Sequence, residues 1–395
     1  MTQWLLVVNV GSTSVKTQLF DGLLRTQAAL AADYGDPAAV MLTGLDWQGG
    51  AVATLLGPLP DVAAVLAAVL ARWQTWLDAA GVRLSAIGHR IVHGADWFGT
   101  LTPISPDVLA RLAALDAYAP LHNPFNRLGV GQTLAIFPQV AHFALFDTGF
   151  HRQLPMVAKR YAIPEALSTT VAFYRYGFHG LSCQHSLNTA AHWLGRAPAE
   201  LNLIILHLGG GASATAVRGG VSVDTSMGFS PTAGLMMAGR CGDLDPMIVL
   251  TLQQQGLPPA QLSGILNHES GLHAVCGEGD MRRILHRADA GDAAAALAAA
   301  MFCYQLKKYI GAYCAVLGEV SAVVFTGGIG EHAAAIRAQT LEGLGPLGFA
   351  LDPAANQVLV GGGDISAADS RARVLVIPAE EAQVCAGLML GALAA

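Results

Sequence analysis

The sequence predicts an α/β protein built from two similar halves, and three observations carry that prediction. Strand-like apolar runs alternate along the chain with helical patterns of ten or more residues. A strand, a turn rich in Gly, Ser and Thr, and a second strand occur at residues 7–19 and recur at residues 204–217, which suggests two similar halves facing a shared cleft. At 395 residues the chain has room for roughly two to three domains, each with its own core.

Taken in order, residues 5–10 read as a buried strand that opens the first hairpin. Residues 61–80 and 106–118 carry helical periodicity, and residues 86–93 and 141–147 read as strands. A stretch rich in Pro and Gly at 149–164 fits a boundary near residue 150, and a second lies at 256–259. Beyond the boundary come a helix at 182–194, the second hairpin beginning with a strand at 203–208, and a long helix at 292–317. A strand at 322–326 then runs through Gly327-Gly328-Ile329-Gly330-Glu331 into a helix at 332–344. A strand at 373–377 and a helix at 380–395 close the chain. Several helices start behind Asp, Ser or Gly-Glu, as expected of helix starts, where Asp and Ser side chains can accept unsatisfied backbone N–H groups.

Composition removes several classes of function. A formal charge of -6 and the lack of any Lys/Arg run argue against a dedicated nucleic-acid binder. The longest apolar stretch, 293–304, falls short of the roughly 18–20 residues that a membrane-spanning helix needs. No basic region precedes the apolar start and no small-residue cleavage site follows it, so the expected location is the cytoplasm. Six scattered cysteines form no CxxC pair and read as thiols in a reducing compartment.

Three turns have the chemistry to handle phosphate. In Asn9-Val10-Gly11-Ser12-Thr13-Ser14-Val15-Lys16, Gly11 permits close backbone approach, three hydroxyls can donate, and Lys16 adds a positive charge. Taken alone, this reads first as an ordinary hairpin turn, in which Gly and Ser are also favoured. No GxxxxGK[ST] loop occurs, and His207-Leu208-Gly209-Gly210-Gly211-Ala212-Ser213 leads into a strand, where a dinucleotide-binding fingerprint would lead into a helix. The segment 327–331 is the third turn.

Other short segments combine a strand end with charged or imidazole residues. They are 88–94 (Gly-His-Arg-Ile-Val-His-Gly), 121–124 (Leu-His-Asn-Pro), 146–148 (Phe-Asp-Thr) and 176–180 (Tyr-Gly-Phe-His-Gly). Arg240 lies in a glycine-rich loop, and Glu380-Glu381 follows the strand ending at Pro378. No HExxH pair is present, so Mg2+ held by oxygen ligands at Glu381 fits better than a histidine-bound metal.

In order and spacing, these segments resemble the acetate kinase family over nearly the whole chain. The most specific are Arg-Tyr-Gly-Phe-His-Gly at 175–180 and Ala-Pro-Leu-His-Asn-Pro at 119–124. The resemblance implies an actin-like, sugar-kinase-like ATPase fold of two duplicated domains with ATP in the cleft. One domain would run over 1–150 and regain the helix 381–395; the other would span 151–380. It further implies ATP and ADP as co-substrates, Mg2+ (or Mn2+), acetate and acetyl phosphate as the other substrate pair, and a homodimer.

By the same resemblance, Arg90, Asp147, His179, Arg240 and His122 form the catalytic set, with Val92, Leu121, Phe178 and Pro231 around the acyl methyl group. Asn9 and Glu381 are the metal-side residues. Lys16, Ser12, Ser14, His207, Leu208, Gly209, Gly210, Gly211, Asp280, Met281, Arg282, Gly328, Ile329 and Gly330 contact the nucleotide. Acetate is already an anion at neutral pH, so its carboxylate needs no general base and catalysis reduces to positioning and charge stabilisation. Gly210 and His332 stand where the family commonly carries Asn, which leaves pyrophosphate as an alternative phosphoryl donor. Propionate, or a butyrate or branched acid, is the alternative acceptor, and an ATP-binding sensor of the same fold is the non-enzymatic alternative.

Overall fold

The computed structural model describes residues 3–395, and contacts divide the chain into two units. One unit ends at Gly149 and regains Glu380–Ala395; the other is Phe150–Ala379.

In the first unit, β1 (Trp4–Val10), β2 (Ser14–Asp21), β3 (Thr26–Asp33), β4 (Val40–Leu45), β5 (Ala51–Gly57), β6 (Ala86–Ile91), β7 (Leu101–Pro103) and β8 (Ala141–Phe146) form one sheet. Their order is β5-β4-β3-β2-β1-β6-β8-β7. β1 to β5 pair antiparallel in succession, whereas β6 runs parallel to β1 and β8 parallel to β6. Most of β1 is buried, as a near-continuous apolar strand covered on both faces should be. The helices Val62–Ala80 and Asn123–Ile136 share a core with Leu6, Val8 and Val10, where the Trp73 indole donates to Thr17 at 2.7 Å. From the other face the helix Glu381–Ala394 packs on β1 and β6, with Met389 against Gly88.

The second unit holds β9 (Asn202–Leu208), β10 (Ala212–Arg218), β11 (Val221–Thr225), β12 (Ala322–Thr326), β13 (Gly363–Asp364) and β14 (Arg373–Val376). They are ordered β11-β10-β9-β12-β14-β13. Strand directions in β11-β10-β9-β12-β14 repeat those in β3-β2-β1-β6-β8: three antiparallel strands, then two joined in parallel. The recurring hairpins of the sequence are thus β1–β2 and β9–β10, at equivalent places in two sheets. The helix Gly180–Leu194 buries Cys183, Leu187 and Ala190 against Leu203, Ile205 and Val324, and the helix Ala293–Leu317 packs on β9 and β10.

Three expectations need correction. Residues 121–124 lead into the helix Asn123–Ile136 and residues 176–180 into the helix Gly180–Leu194, so neither segment is a strand end. The helix expected over 332–344 is Ala334–Leu341, and the glycine turn before it is itself a helix, Gly327–His332, with a break at Ala333. Arg337 accounts for the break: its buried guanidinium donates to the carbonyls of Gly330 (2.9 Å) and Glu331 (2.8 Å), taking acceptors that a continuous helix would use. The first half of 106–118 is helical to Ala114, and a 3-10 turn, Leu115–Ala117, ends it. Among the described residues no helix is long and apolar enough to cross a membrane, and none of the six cysteines is in a disulfide.

Candidate active site

The first unit gathers polar groups at the ends of β1, β6 and β8. Asn9 and Lys16 stand opposite each other across the β1–β2 hairpin, so their side chains leave the same face. Between them Gly11 N–H closes the turn on the Ser14 carbonyl at 2.8 Å; Ser12 is exposed and Ser14 half-buried. Asn126 ties this hairpin to β6, accepting from Val92 N–H at 2.9 Å and donating to the Val10 carbonyl at 2.8 Å. Asn123 does the same for the loop after β6, exchanging two hydrogen bonds with the His93 backbone. Both amides belong to the helix that His122 precedes. The pair therefore holds Val92 in fixed relation to the segment carrying Leu121, which is 42% exposed, and His122.

Arg90, at the end of β6, is engaged on both edges. Its Nε and one terminal nitrogen donate to the two Asp147 oxygens at 3.0 and 2.8 Å, and its other terminal nitrogen lies 3.0 Å from Glu381. Burial disfavours the guanidinium charge, but Asp147 and then Glu381 outweigh it and raise the Arg90 pKa above its ordinary value. Two carboxylates against one guanidinium leave one net negative charge, and Glu381 is the more accessible of them, at 23% exposed against 3% for Asp147.

In the second unit, the β9–β10 hairpin places His207 opposite Ser213 and closes Gly209 N–H on the Gly211 carbonyl at 2.8 Å. The His179 and His207 rings stack at 4.1 Å. Each is anchored at Nδ1 by a buried hydroxyl, His179 by Ser213 at 3.0 Å and His207 by Ser182 at 2.8 Å. These anchors direct His179 Nε2 toward the glycine loop: a Cβ added at Gly211 would lie 3.3 Å from it and 3.7 Å from an Arg240 terminal nitrogen. His179 itself is left-handed, with φ 58° and ψ 25°, a conformation that costs a non-glycine residue about 1–2 kcal/mol.

Arg240 contrasts with Arg90. It donates to the Pro231 carbonyl at 3.1 Å, and burial alone lowers its pKa, with no carboxylate opposing the effect. It stays cationic, because guanidinium remains protonated in proteins. A half-buried cation beside two imidazoles and a loop of backbone N–H groups is a receptor for an oxyanion.

Next to that loop lies a cavity of about 480 Å3, bounded by Gly209 and Gly210, by Gly279–Arg282 and Leu285, and by Gly328, Ile329, His332 and Ala333. Asp280 caps the helix Met281–Asp289 and grips Arg282. The Arg282 side chain and then its N–H hold the Asp280 carboxyl down at about 2, so the pair is mutually neutralised. Gly327 is left-handed at φ 76°, and a Cβ there would lie 2.8 Å from the Leu208 carbonyl oxygen; glycine lets the helix start directly off β12 beside β9.

The structure thus gathers Arg90, Asp147 and Glu381 in one cluster, with Asn9, Ser12, Ser14, Lys16, Val92, Leu121 and His122 on the neighbouring hairpin and loops of that unit. It gathers His179, His207, Leu208, Gly209, Gly210, Gly211 and Arg240 in another, with Asp280, Met281, Arg282, Gly328, Ile329 and Gly330 at the cavity or its helix start. Pro231 joins this second cluster through its carbonyl on Arg240, while Phe178 is only 1% exposed and offers little surface. Sequence reasoning passed over Asn126 and Ser182 and quoted Asn123 and Ser213 without an orienting role; all four orient the groups it named. Two Asn at i and i+3 behind His122 were the available signal; no comparable signal marks the serines.

Comparison with known proteins shows the family and the fold. A sequence model of the acetokinase family matches residues 4–387. The chain is 44% identical over 384 residues to the acetate kinase of Streptomyces avermitilis, covering 95% of this chain and 94% of that protein. Among solved structures, the acetate kinase of Porphyromonas gingivalis matches with a TM-score of 0.91 at 32% identity, covering 99% of this chain and 100% of that one. A propionate kinase from Francisella tularensis has the same TM-score at 33% identity, with coverages of 97% and 98%. The fold is accordingly the duplicated actin-like ATPase fold of these enzymes, and the chain belongs to the acetokinase family.

Proposed function

We propose that the protein catalyses reversible phosphoryl transfer between ATP and acetate, giving acetyl phosphate and ADP, with Mg2+. The observation that carries this reading furthest is Arg240: a guanidinium without a carboxylate partner, beside His179, His207 and Gly209–Gly211, calls for an anion. The cavity against Gly209 and Gly210 favours a nucleotide over bare pyrophosphate as the donor, since pyrophosphate would leave that volume unused.

The acetate carboxylate attacks the γ-phosphorus in line, without a base. Arg240 and the Nε2 side of His179 face the oxygens on which charge develops, and His207 with the glycine loop holds the donor's phosphates. Lys16, Ser12 and Ser14 steady phosphate from the first unit. Asp280, Met281, Arg282, Gly328, Ile329 and Gly330 surround the nucleoside. Val92 and Leu121 of the first unit and Pro231 and Phe178 of the second are assigned to limit the acyl group to a short chain, and His122 to the reacting carboxylate. Val92 retains bulk that a longer acid would need trimmed, so acetate is preferred over propionate, by about 1–3 kcal/mol for one methylene.

Among the described residues no three His, Cys, Asp or Glu side chains converge on a metal position. The Glu381 carboxylate and the Asn9 amide carbonyl are oxygen donors, which suits Mg2+ (or Mn2+), an ion that takes one or two protein oxygens and completes its shell with water and phosphate. Glu381, with Asn9 near the phosphates, would hold it, and when bound the ion neutralises charge on the phosphate oxygens. Asp147 keeps one edge of Arg90 fixed, and the edge that faces Glu381 would serve the acyl substrate once Glu381 is given to the ion.

The active form is proposed to be a cytoplasmic homodimer. The helix Pro246–Gln254 has no buried residue and exposes Met247, Ile248 and Leu250 at 57%, 46% and 47%. No charged residue occurs from Pro246 to Asn267, so a two-fold pair could place this surface on itself without like-charge repulsion. Sedimentation should show a dimer that Ile248→Glu with Leu250→Glu dissociates; a wild-type monomer contradicts this assignment.

Purified protein with Mg-ATP and hydroxylamine, supplied in parallel with acetate, propionate or butyrate, tests the activity. Hydroxamate should form fastest from acetate, and no hydroxamate from any of the acids would overturn the reading.

A further inference from the structure

The second unit contains a buried imidazole that the proposed mechanism does not use. His151 is 1% exposed and bridges two partners: Nδ1 lies 2.8 Å from the Ser222 hydroxyl and Nε2 lies 3.0 Å from the Phe178 carbonyl oxygen. A carbonyl can only accept, so Nε2 carries the proton and Nδ1 accepts from Ser222 on β11. The tautomer therefore follows from the partners. Burial keeps this imidazole neutral down to about 4, against a smaller opposing effect from the Phe178 hydrogen bond.

The Phe178 carbonyl belongs to the peptide plane joining Phe178 to His179. Rotation of that plane changes ψ of Phe178 and φ of His179 together, and among the described residues His179 is one of three non-glycine residues with positive φ. On the preceding side the backbone lies close against the same ring: Gly177 has φ 74°, and a Cβ there would lie 2.6 Å from His151 Cγ. Phe178 is itself buried. The imidazole thus touches the chain on both sides of the peptide that sets the entry of His179 into its helix. His179 then spends its own side chain on Ser213 and makes no side-chain cap to that helix.

We propose that His151 is a positioning residue for His179: by donating from Nε2 to the Phe178 carbonyl, it locks the peptide plane that holds His179 left-handed and points its ring at Gly211 and Arg240. The proposal rests on the phosphoryl-transfer reading for its kinetic consequence, but its structural half stands apart. Without the donor, the 178–179 peptide can turn toward the ordinary negative φ, which swings the His179 ring off the phosphate loop while leaving the cavity beside Gly209 and Gly210 in place.

The test compares two substitutions in the full-length protein. In His151→Asn the amide ends near the Nδ1 position, so it can reach Ser222 but not Phe178. In His151→Gln the amide nitrogen reaches the Nε2 position and restores the donor. His151→Asn is expected to lower kcat for acetate about 10- to 100-fold, the scale of a misplaced catalytic group. The KM values for acetate and ATP should change less than about threefold, because uniform binding is untouched. His151→Gln should recover most of kcat. The His179 ring resonance in a proton–carbon NMR spectrum should shift in His151→Asn and return in His151→Gln. If His151→Asn does not fold, His151→Phe fills a similar volume without a donor to the Phe178 carbonyl and should still lower kcat at constant KM; a folded His151→Phe with wild-type kcat and an unmoved His179 resonance would overturn the proposal. So would equal losses of kcat and thermal midpoint in His151→Asn and His151→Gln, which mark a packing role. An inactive wild type would instead reject the phosphoryl-transfer reading and leave the NMR comparison to decide this one.

Discussion

Substituting Arg240 and Arg90 in turn by alanine separates a cation kept for its ligand from one kept by the fold. Arg240 has no carboxylate partner, so Arg240→Ala removes a partly desolvated charge and one hydrogen bond to the Pro231 carbonyl. The lost bond is worth about 1 kcal/mol, and relief of the desolvated charge offsets much of it, so the denaturation midpoint should stay close to wild type. Activity should nevertheless fall about 10²- to 10³-fold, the range of roughly 2.7–4 kcal/mol for one donor aimed at developing charge. Arg90→Ala leaves Asp147, 3% exposed, without its bidentate cation, and should destabilise the first unit by about 3–5 kcal/mol as well as lower activity. The assay is hydroxamate formation alongside urea denaturation followed by circular dichroism, each variant against wild type. Parallel stability losses in the two variants would refute the distinction, as would an Arg240→Ala enzyme that keeps more than about a tenth of its activity.

Other expectations follow from the same geometry. Asn126→Ala strips the partners from the Val92 N–H and the Val10 carbonyl and should lower stability by about 2–4 kcal/mol in urea titration; an unchanged midpoint would mean that water replaces both bonds. At Gly210 a Cβ would meet nothing within 4 Å and φ is not positive, so Gly210→Asn should fold normally. Its added amide should lower the KM for ATP about 2- to 10-fold, the worth of one hydrogen bond; a raised KM would place the side chain away from phosphate. Acid should unfold the protein through its buried histidines. Burial holds His89 at about 3, with His142 adding to the effect, and His151 at about 4. Above the ordinary value of 6.5 both rings are neutral in either state. Below it the unfolded chain takes up protons that the folded chain refuses, so stability falls as pH drops, by about 2 kcal/mol per histidine at pH 5. A urea midpoint that is flat from pH 7 to pH 5 would contradict this.

The alternation of elements and the two hairpins were legible because apolar runs such as residues 5–10 and 203–208 belong to central strands buried on both faces. β3 was not, since Thr26–Asp33 is rich in alanine, which has little strand preference, and its extended form comes from pairing along β2 and β4. The helix Asn123–Ile136 was obscured by Pro124, Gly129 and Gly131, residues that weaken a helical pattern but are accommodated here by packing on β1 and β6. In the candidate site, the charged and imidazole groups and the glycine loops stand out as residue types. Their orientation does not, because Ser182, Ser213 and Ser222 are ordinary residues until the fold sets each hydroxyl against an imidazole nitrogen. The different situations of Arg90 and Arg240 are also tertiary facts: each is one arginine among glycines in sequence, and only the fold supplies two carboxylates to one and none to the other.

Phosphorus-31 NMR of the protein mixed with Mg-ATP and acetate tests the central claim most directly. An acyl phosphate resonance should grow as ATP is converted to ADP, in amounts that depend on acetate and that vanish in Arg240→Ala. ATP left intact, or hydrolysed to inorganic phosphate with no acyl phosphate at any acetate concentration, would contradict the account.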